Sequence, residues 1–311
     1  MGTGSADMEL IASGLQFPEG PIWLRDGRVL VVEIRSGTLA AVSPDGTVER
    51  VATTGGGPNG AAVGPDGKVY VCNNGGFDWY DVNGIVAPGP QPADYIGGRI
   101  QRVDIDTGEV EDLYTEVDGH PLRGPNDIVF DATGGFYFTD LGKSRSREVD
   151  KSGLYYATSD GSSIRQLAYG LIQANGVGLS PDGDRLYVAE TTTGRVWTWE
   201  VDAPGVLKPP TMLGAQGTLL YSFGGYQLLD SLAVDGDGNV CVATLITGAI
   251  SVVSPDGKLL DQYVVPEPDP LVTNVCFGGD GYGTAYVTSS GRGLLYKMAW
   301  PRPGHPLHFE R

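Results

Sequence analysis

Six times along this chain, one small polar or acidic residue stands ahead of a strand-like run, a tight turn and a second apolar run. The first copy reads Phe17-Pro18-Glu19-Gly20-Pro21-Ile22-Trp23, then Arg25-Asp26-Gly27, then Val29-Leu30-Val31-Val32. Later copies open on Asn59, Asn126, Asn175, Asp230 and Asn274, and carry turns such as Pro65-Asp66-Gly67 and Pro181-Asp182-Gly183. A chain of this kind must be built from copies of one unit. The spacings of 40, 67, 49, 55 and 44 residues are too uneven for a solenoid with fixed rungs. They suit a blade of about 40–50 residues that accepts insertions.

Each copy continues with a third run that starts on glycine and alternates, such as Gly98-Arg99-Ile100-Gln101-Arg102-Val103 and Gly194-Arg195-Val196-Trp197-Thr198-Trp199. A fourth follows another turn, as in Thr47-Val48-Glu49-Arg50-Val51. Alternation with aromatic and β-branched residues is the pattern of half-buried strands. Four antiparallel strands in each of six units give an all-β, six-bladed propeller, with helices nearly absent because no capped 3.6-residue period occurs. Met8-Glu9-Leu10-Ile11-Ala12 is expected to close the last blade, which removes exposed sheet edges. We therefore expect a single domain over 1–311, with the propeller at 8–300 and a proline-rich irregular tail at 301–311. Lid-like insertions are expected at 73–97 and 141–152, since long loops without structure of their own are often binding loops.

Composition narrows the function. Glycine (48) and proline (21) make up about a fifth of the 311 residues and sit at turns between apolar runs, as in an all-β chain. A net charge of −17 excludes the basic stripes of a nucleic-acid binder and argues against an anionic membrane surface. Neither a secretory leader nor an 18-residue apolar span is visible. The three cysteines, Cys72, Cys241 and Cys276, form no CxxC pair. Reduced, buried thiols in a cytoplasmic protein are the simple reading.

Equivalent positions in a propeller form a ring around one end of the central channel. Glu19 and Asp230 with Asn126 and Asn175 make an all-oxygen donor set, suited to Ca²⁺, Mg²⁺ or Mn²⁺ rather than a thiophilic metal. Two carboxylates facing a narrow channel need a cation or hydrogen-bonded partners. An asparagine before glycine, as at Asn59, also fits a simple turn. Around the expected mouth, His120 is a candidate for substrate contact or proton transfer. Gln173, Gln227 and Tyr226 precede ring residues and are candidates to face substrate. Trp79, Tyr80 and Tyr95 are candidates for an apolar lining, and Lys143, Arg145 and Arg147 for attracting an anion. No Gly-x-Ser-x-Gly elbow supports a serine esterase.

Taken together, Phe17-Pro18-Glu19-Gly20-Pro21, Arg123-Gly124-Pro125-Asn126-Asp127, Asn175-Gly176-Val177-Gly178-Leu179-Ser180-Pro181-Asp182-Gly183, Asp230-Ser231-Leu232-Ala233-Val234-Asp235 and Thr273-Asn274-Val275-Cys276 are distinctive in order and spacing. In these the chain resembles the SMP-30/gluconolactonase/LRE-like family of regucalcins, sugar lactonases and diisopropyl fluorophosphatase-like enzymes, over nearly its whole length. The resemblance implies metal ligands at Glu19, Asn175 and Asp230, with Asn126 joining or bordering them. Asp230 and Asn126 would be the catalytic residues, Asp230 as general base, or as nucleophile in a phosphatase-like reaction. Asp127 would orient the site. One departure leaves sugar specificity open: Gly124 stands where regucalcin-like members have arginine, with Arg123 one position earlier; another is Leu229-Asp230-Ser231, where lactonases often have Pro-Asp-Gly.

The expectation is a hydrolase that opens a lactone or related cyclic ester with one divalent metal. Ca²⁺ comes first, with Mg²⁺, Mn²⁺, Zn²⁺ or Fe²⁺ as alternatives. Metal ligands are Glu19, Asn126, Asn175 and Asp230; substrate contacts are Asn59, His120, Arg123, Asp127, Gln173, Tyr226 and Trp79. The partner is a small molecule, not nucleic acid or membrane, and the protein a monomer or small homo-oligomer. Organophosphate hydrolysis at the same ligands and a non-catalytic calcium-binding propeller are the alternatives.

Overall fold

A computed structural model describes residues 7–209 and 217–311. The described chain is a six-bladed β-propeller, with its only helical turn at Asp280–Tyr282 among the described residues. The innermost strands of blades one to six are Pro18–Trp23, Pro58–Val63, Pro125–Phe130, Ala174–Leu179, Leu229–Val234 and Val272–Gly278. Each packs against the next and the sixth against the first, so the ring is closed. Blade six borrows its outer strand from the chain start: Glu9–Ala12 pairs antiparallel with Leu294–Ala299.

Second strands lie between neighbouring blades and are buried on both faces. Val29–Glu33, Val69–Asn73 and Val240–Thr244 are buried throughout, which explains why they read as continuous apolar runs rather than as alternation. The inter-blade cores are aliphatic between blades one and two, with Leu30, Val32, Val63 and Val71 in one cluster. They are aromatic between blades two and three, around Tyr70, Phe130, Phe136 and Phe138.

The channel is narrow because glycine follows several ring residues. A Cβ on Gly60 would lie 2.5 Å from the carbonyl oxygen of Asn126, and one on Gly176 would lie 2.6 Å from the backbone nitrogen of Leu232. Asn59 and Asn274 are buried within strands, so the Asn-Gly pair at 59–60 marks close strand approach rather than a turn.

The segment from 73 to 97 contains a hairpin, Trp79–Val82 with Ile85–Pro88. Its tip is Asn83-Gly84, both at positive φ (56° and 77°), the backbone that a tight two-residue hairpin needs. The hairpin crosses toward blade six, where Val86 N–H donates to Gly291 O at 2.8 Å. On its other side Gln91 N–H donates to Ser144 O at 2.9 Å, within the second insertion. Lys143 fastens the two: its buried Nζ donates to Gly76 O at 2.6 Å and Asn74 Oδ1 at 3.1 Å, and lies 3.7 Å from the Phe77 ring centre.

Residues 301–311 cross the opposite end of the channel. Arg302 donates to Asp235 and Asp261, and Phe309 meets Phe130 at 5.7 Å between ring centres. Tyr282 Oη donates to Glu310 at 2.6 Å. Between this crossing and the innermost strands lies a small cavity of about 100 Å³, bordered by Ile22, Val177, Leu232, His305 and His308.

Candidate active site

In every blade the pairing between innermost and second strand slips at or beside the ring residue, for example between Pro58 and Ala61 and between Leu229 and Leu232. Such a bulge re-aims a side chain out of the regular pleat. Here it turns Glu19, Asn59, Asn126, Asn175 and Asp230 onto the floor of one cavity of about 700 Å³. Asn274 lies beneath that floor and donates its Nδ2 to Glu19 Oε2 at 2.7 Å.

The floor holds unused acceptors. Glu19 Oε1 and Asn126 Oδ1 are buried with no hydrogen-bond partner, as is Gln173 Oε1 at the cavity edge. An orphaned buried acceptor costs about 1–3 kcal/mol. Burial pushes the Glu19 carboxyl up to about 7, against the lowering effect of Asn274 and the Gly20 N–H. Asp230 opens partly onto the cavity, yet the surrounding protein drives its carboxyl well above the usual range, and the charge of Glu19 adds to this. Asn175 is oriented by Thr191, whose Oγ1 accepts from Nδ2 at 3.1 Å.

Two carboxyls that resist ionising together, beside unpaired amide oxygens, form a hard oxygen donor set of the kind that holds a divalent cation. No group of three or more His, Cys, Asp and Glu side chains able to hold a metal occurs among the described residues. Any cation held at this floor would take neutral amides as well as the two carboxyls as donors.

Asp127 takes no part in the floor. Successive strand residues face opposite sides, and its carboxylate lies below Asn126, bordering the smaller cavity. There it accepts the backbone N–H groups of Ile128 at 2.9 Å and Val177 at 3.1 Å, and that of Leu232. It thus ties together the strands that carry Asn126, Asn175 and Asp230. Burial, then the nearby Glu19 charge, pushes it up to about 8.

A second repeated polar position was missed in the sequence. The residue ending a second strand accepts the N–H at the entrance to its own blade: Glu33 from Gln16 (2.9 Å), Asn73 from Gly57 (2.9 Å), Asp140 from Arg123 and Gly124 (2.7 Å each), and Glu190 from Ile172 (2.8 Å). The signal was available, as a polar residue closing each apolar run.

Residues 17–291 match the SMP-30/gluconolactonase/LRE-like region family. The chain belongs to that family. Among its relatives, the gluconolactonase of Zymomonas mobilis subsp. mobilis is 27% identical over 309 residues, covering 92% of this chain and 80% of that protein. Lactonase drp35 of Staphylococcus saprophyticus is 31% identical over 264 residues, covering 84% of this chain and 74% of that one. Solved folds agree: a gluconolactonase from Xanthomonas campestris superimposes with a TM-score of 0.74 at 22% identity, covering 96% of this chain and 91% of its own. A calcium-binding regucalcin from Agrobacterium tumefaciens gives 0.73 at 18% identity, with 95% and 94% covered.

Against the substrate contacts expected from the sequence, the structure is selective. Asn59 and Gln173 border the cavity. His120 sits in a separate exposed hairpin, Glu116–Val117 with His120–Pro121. Arg123 is held through its backbone by Asp140, while its side chain is exposed. Tyr226 is 76% exposed in a loop. Trp79 packs against Phe17, with ring centres 5.1 Å apart, and lies behind the cavity wall rather than on it. The wall is made instead by Phe17, Phe77, Tyr80, Leu141 and Leu271, with Arg145 at the rim.

Proposed function

We propose that this protein hydrolyses a lactone to its hydroxy acid at the floor of the large cavity. The observation that carries the reading is the pair of buried, partnerless oxygens, Glu19 Oε1 and Asn126 Oδ1, beside Asp230 on one floor. The gluconolactonase and lactonase relatives support the substrate class.

Glu19, Asn126, Asn175 and Asp230 would hold a divalent cation, which when bound supplies Lewis-acid polarisation of the substrate carbonyl. Asp230 takes a proton from the attacking water as the new C–O bond forms. It returns that proton to the ring oxygen as the ring C–O bond breaks. The ionised form of Asp230, the form able to accept that proton, would be favoured by a bound cation. Glu19 contributes charge and is fixed by Asn274 and the Gly20 N–H. Asn175, fixed by Thr191, defines the opposite side of the floor. Asp127 keeps the three strands in register from below.

Proton release from a panel of small lactones, with and without chelator and with Ca²⁺, Mg²⁺, Mn²⁺, Zn²⁺ or Fe²⁺ restored, tests the reading. Metal-restored turnover that Asp230→Asn abolishes is expected. Absence of turnover on every lactone, with metal still bound, would overturn it.

A further inference from the structure

We infer that the preferred substrate carries a hydrocarbon substituent on its lactone ring and is not a polyhydroxylated sugar lactone. This rests on the lactone-hydrolase reading above and concerns the part of the cavity that stands over the reacting group.

The cavity of about 700 Å³ greatly exceeds the size of a bare five- or six-membered ring, so most of its wall meets whatever the ring carries. That wall is apolar. Phe77 and Tyr80 come from the first insertion, Leu141 from the start of the second, and Phe17, Ile34 and Leu271 from blades one and six. Phe17 is held at φ 58° two residues before Glu19, a conformation that costs a non-glycine residue of order 1–3 kcal/mol. Its ring packs on Trp79 and lines the same cavity as Glu19.

Two of the polar groups above the floor, Arg145 and Thr191, are already engaged. Arg145 donates to Asp150, Glu148 and Gln91 Oε1. Thr191 serves Asn175. Gln173, Ser144 and Ser146 remain near the edge. A sugar lactone brings several hydroxyls, and each one buried without a partner costs about 1–3 kcal/mol. A site built for them would present a matching set of donors and acceptors. This wall presents mainly rings and methyl groups, with the Gln173 amide and the Ser144 and Ser146 hydroxyls confined to its edge.

The wall is also pre-formed. Lys143 bonds the second insertion to Asn74 and Gly76 of the first, and the hairpin is anchored to Gly291 of blade six. An apolar substituent therefore meets an assembled surface and pays little to order it.

The test compares three lactones with the metal-loaded protein: an unsubstituted ring, the same ring with a butyl chain, and glucono-δ-lactone. We expect kcat/KM for the butyl lactone to exceed that for the sugar lactone by about 100-fold, in line with about 10–200-fold per well-placed methylene. Tyr80→Ser should reduce the butyl-to-unsubstituted ratio about tenfold, with Leu271→Ser acting in the same direction. Tyr80 is 54% exposed, so the first variant leaves the core untouched. Equal or better turnover of the sugar lactone, or a ratio unmoved by both variants, overturns the inference. Calorimetric binding of the corresponding butyl and polyhydroxy lactams separates this from the reaction itself. If no lactone turns over yet the butyl lactam binds preferentially, the hydrolase reading fails and the wall's selectivity stands. If the lactams show no preference for butyl, the wall does not select.

Discussion

Asn274 Nδ2 donates to Glu19 Oε2 at 2.7 Å across 255 residues of chain, joining the last blade to the first at the floor of the cavity. Its own Oδ1 accepts the Val275 N–H at 2.7 Å, so the amide is fixed from both ends and its donor can only face Glu19. Asn274→Ala is expected to leave the propeller folded while freeing the Glu19 carboxyl. Partners of this kind typically change metal affinity or activity by about 10–100-fold when removed. Metal titration and lactone turnover on the same preparation check this, and unchanged affinity would count against the role.

The raised carboxyl of Glu19 makes a signed prediction for the metal-free protein. Its folded value of about 7 lies above the ordinary 4.5, so between those values the folded state holds more protons than the unfolded one. Stability from this group is therefore full below about 4.5 and is lost as pH rises toward 7, by on the order of 3 kcal/mol. Asp230 acts in the same direction. Thermal unfolding in chelator should show Tm falling across that range, and Glu19→Gln should flatten the fall. Added divalent metal should restore most at the upper end.

Lys143 predicts the opposite slope at higher pH. Burial lowers its ammonium to about 7 from 10.5, despite the nearby Asp140 and Asp150 charges. The unfolded chain then holds more protons between those values, so stability rises with pH through that window. Lys143→Met removes this slope and the two bonds to the first insertion. Limited proteolysis should then cut within 73–97 more readily, by roughly an order of magnitude for about 1.4 kcal/mol of lost anchoring.

Close strand approach in the channel separates two glycines. Gly60→Ala places a methyl 2.5 Å from Asn126 O and should cost about 3 kcal/mol, the upper range for overpacking. Gly224→Ala meets nothing within 4 Å and should change stability by less than about 0.5 kcal/mol. Chemical denaturation of both variants gives the comparison directly.

What could be read from sequence divides along physical lines. The blades were legible because each copy places its polar residue, turn and apolar run in local order, and a closed ring is what six such copies make. The floor was legible for the same reason, since Glu19, Asn126, Asn175 and Asp230 occupy one repeat position. Asp127 could have been placed correctly from strand alternation alone, as the neighbour of an inward-facing Asn126 must face the other way. Asn83-Gly84 likewise announced a hairpin inside the first insertion. Tyr226 and His120 depend on loop paths that no period describes. Phe17 and Leu271, from opposite ends of the chain, line one cavity only when the ring closes.

The crossing of the channel by residues 301–311 bears on traffic. With Phe309 and its neighbours over the far end and the polar ring as floor, the large cavity lies on the side of the two insertions, which line its wall. On the proposed hydrolysis, the lactone and the departing acid would share the approach from that side. A hydroxy acid that lingers would then bar entry as well as occupy the floor, and the rate of its release would set a ceiling on how often the floor can be used.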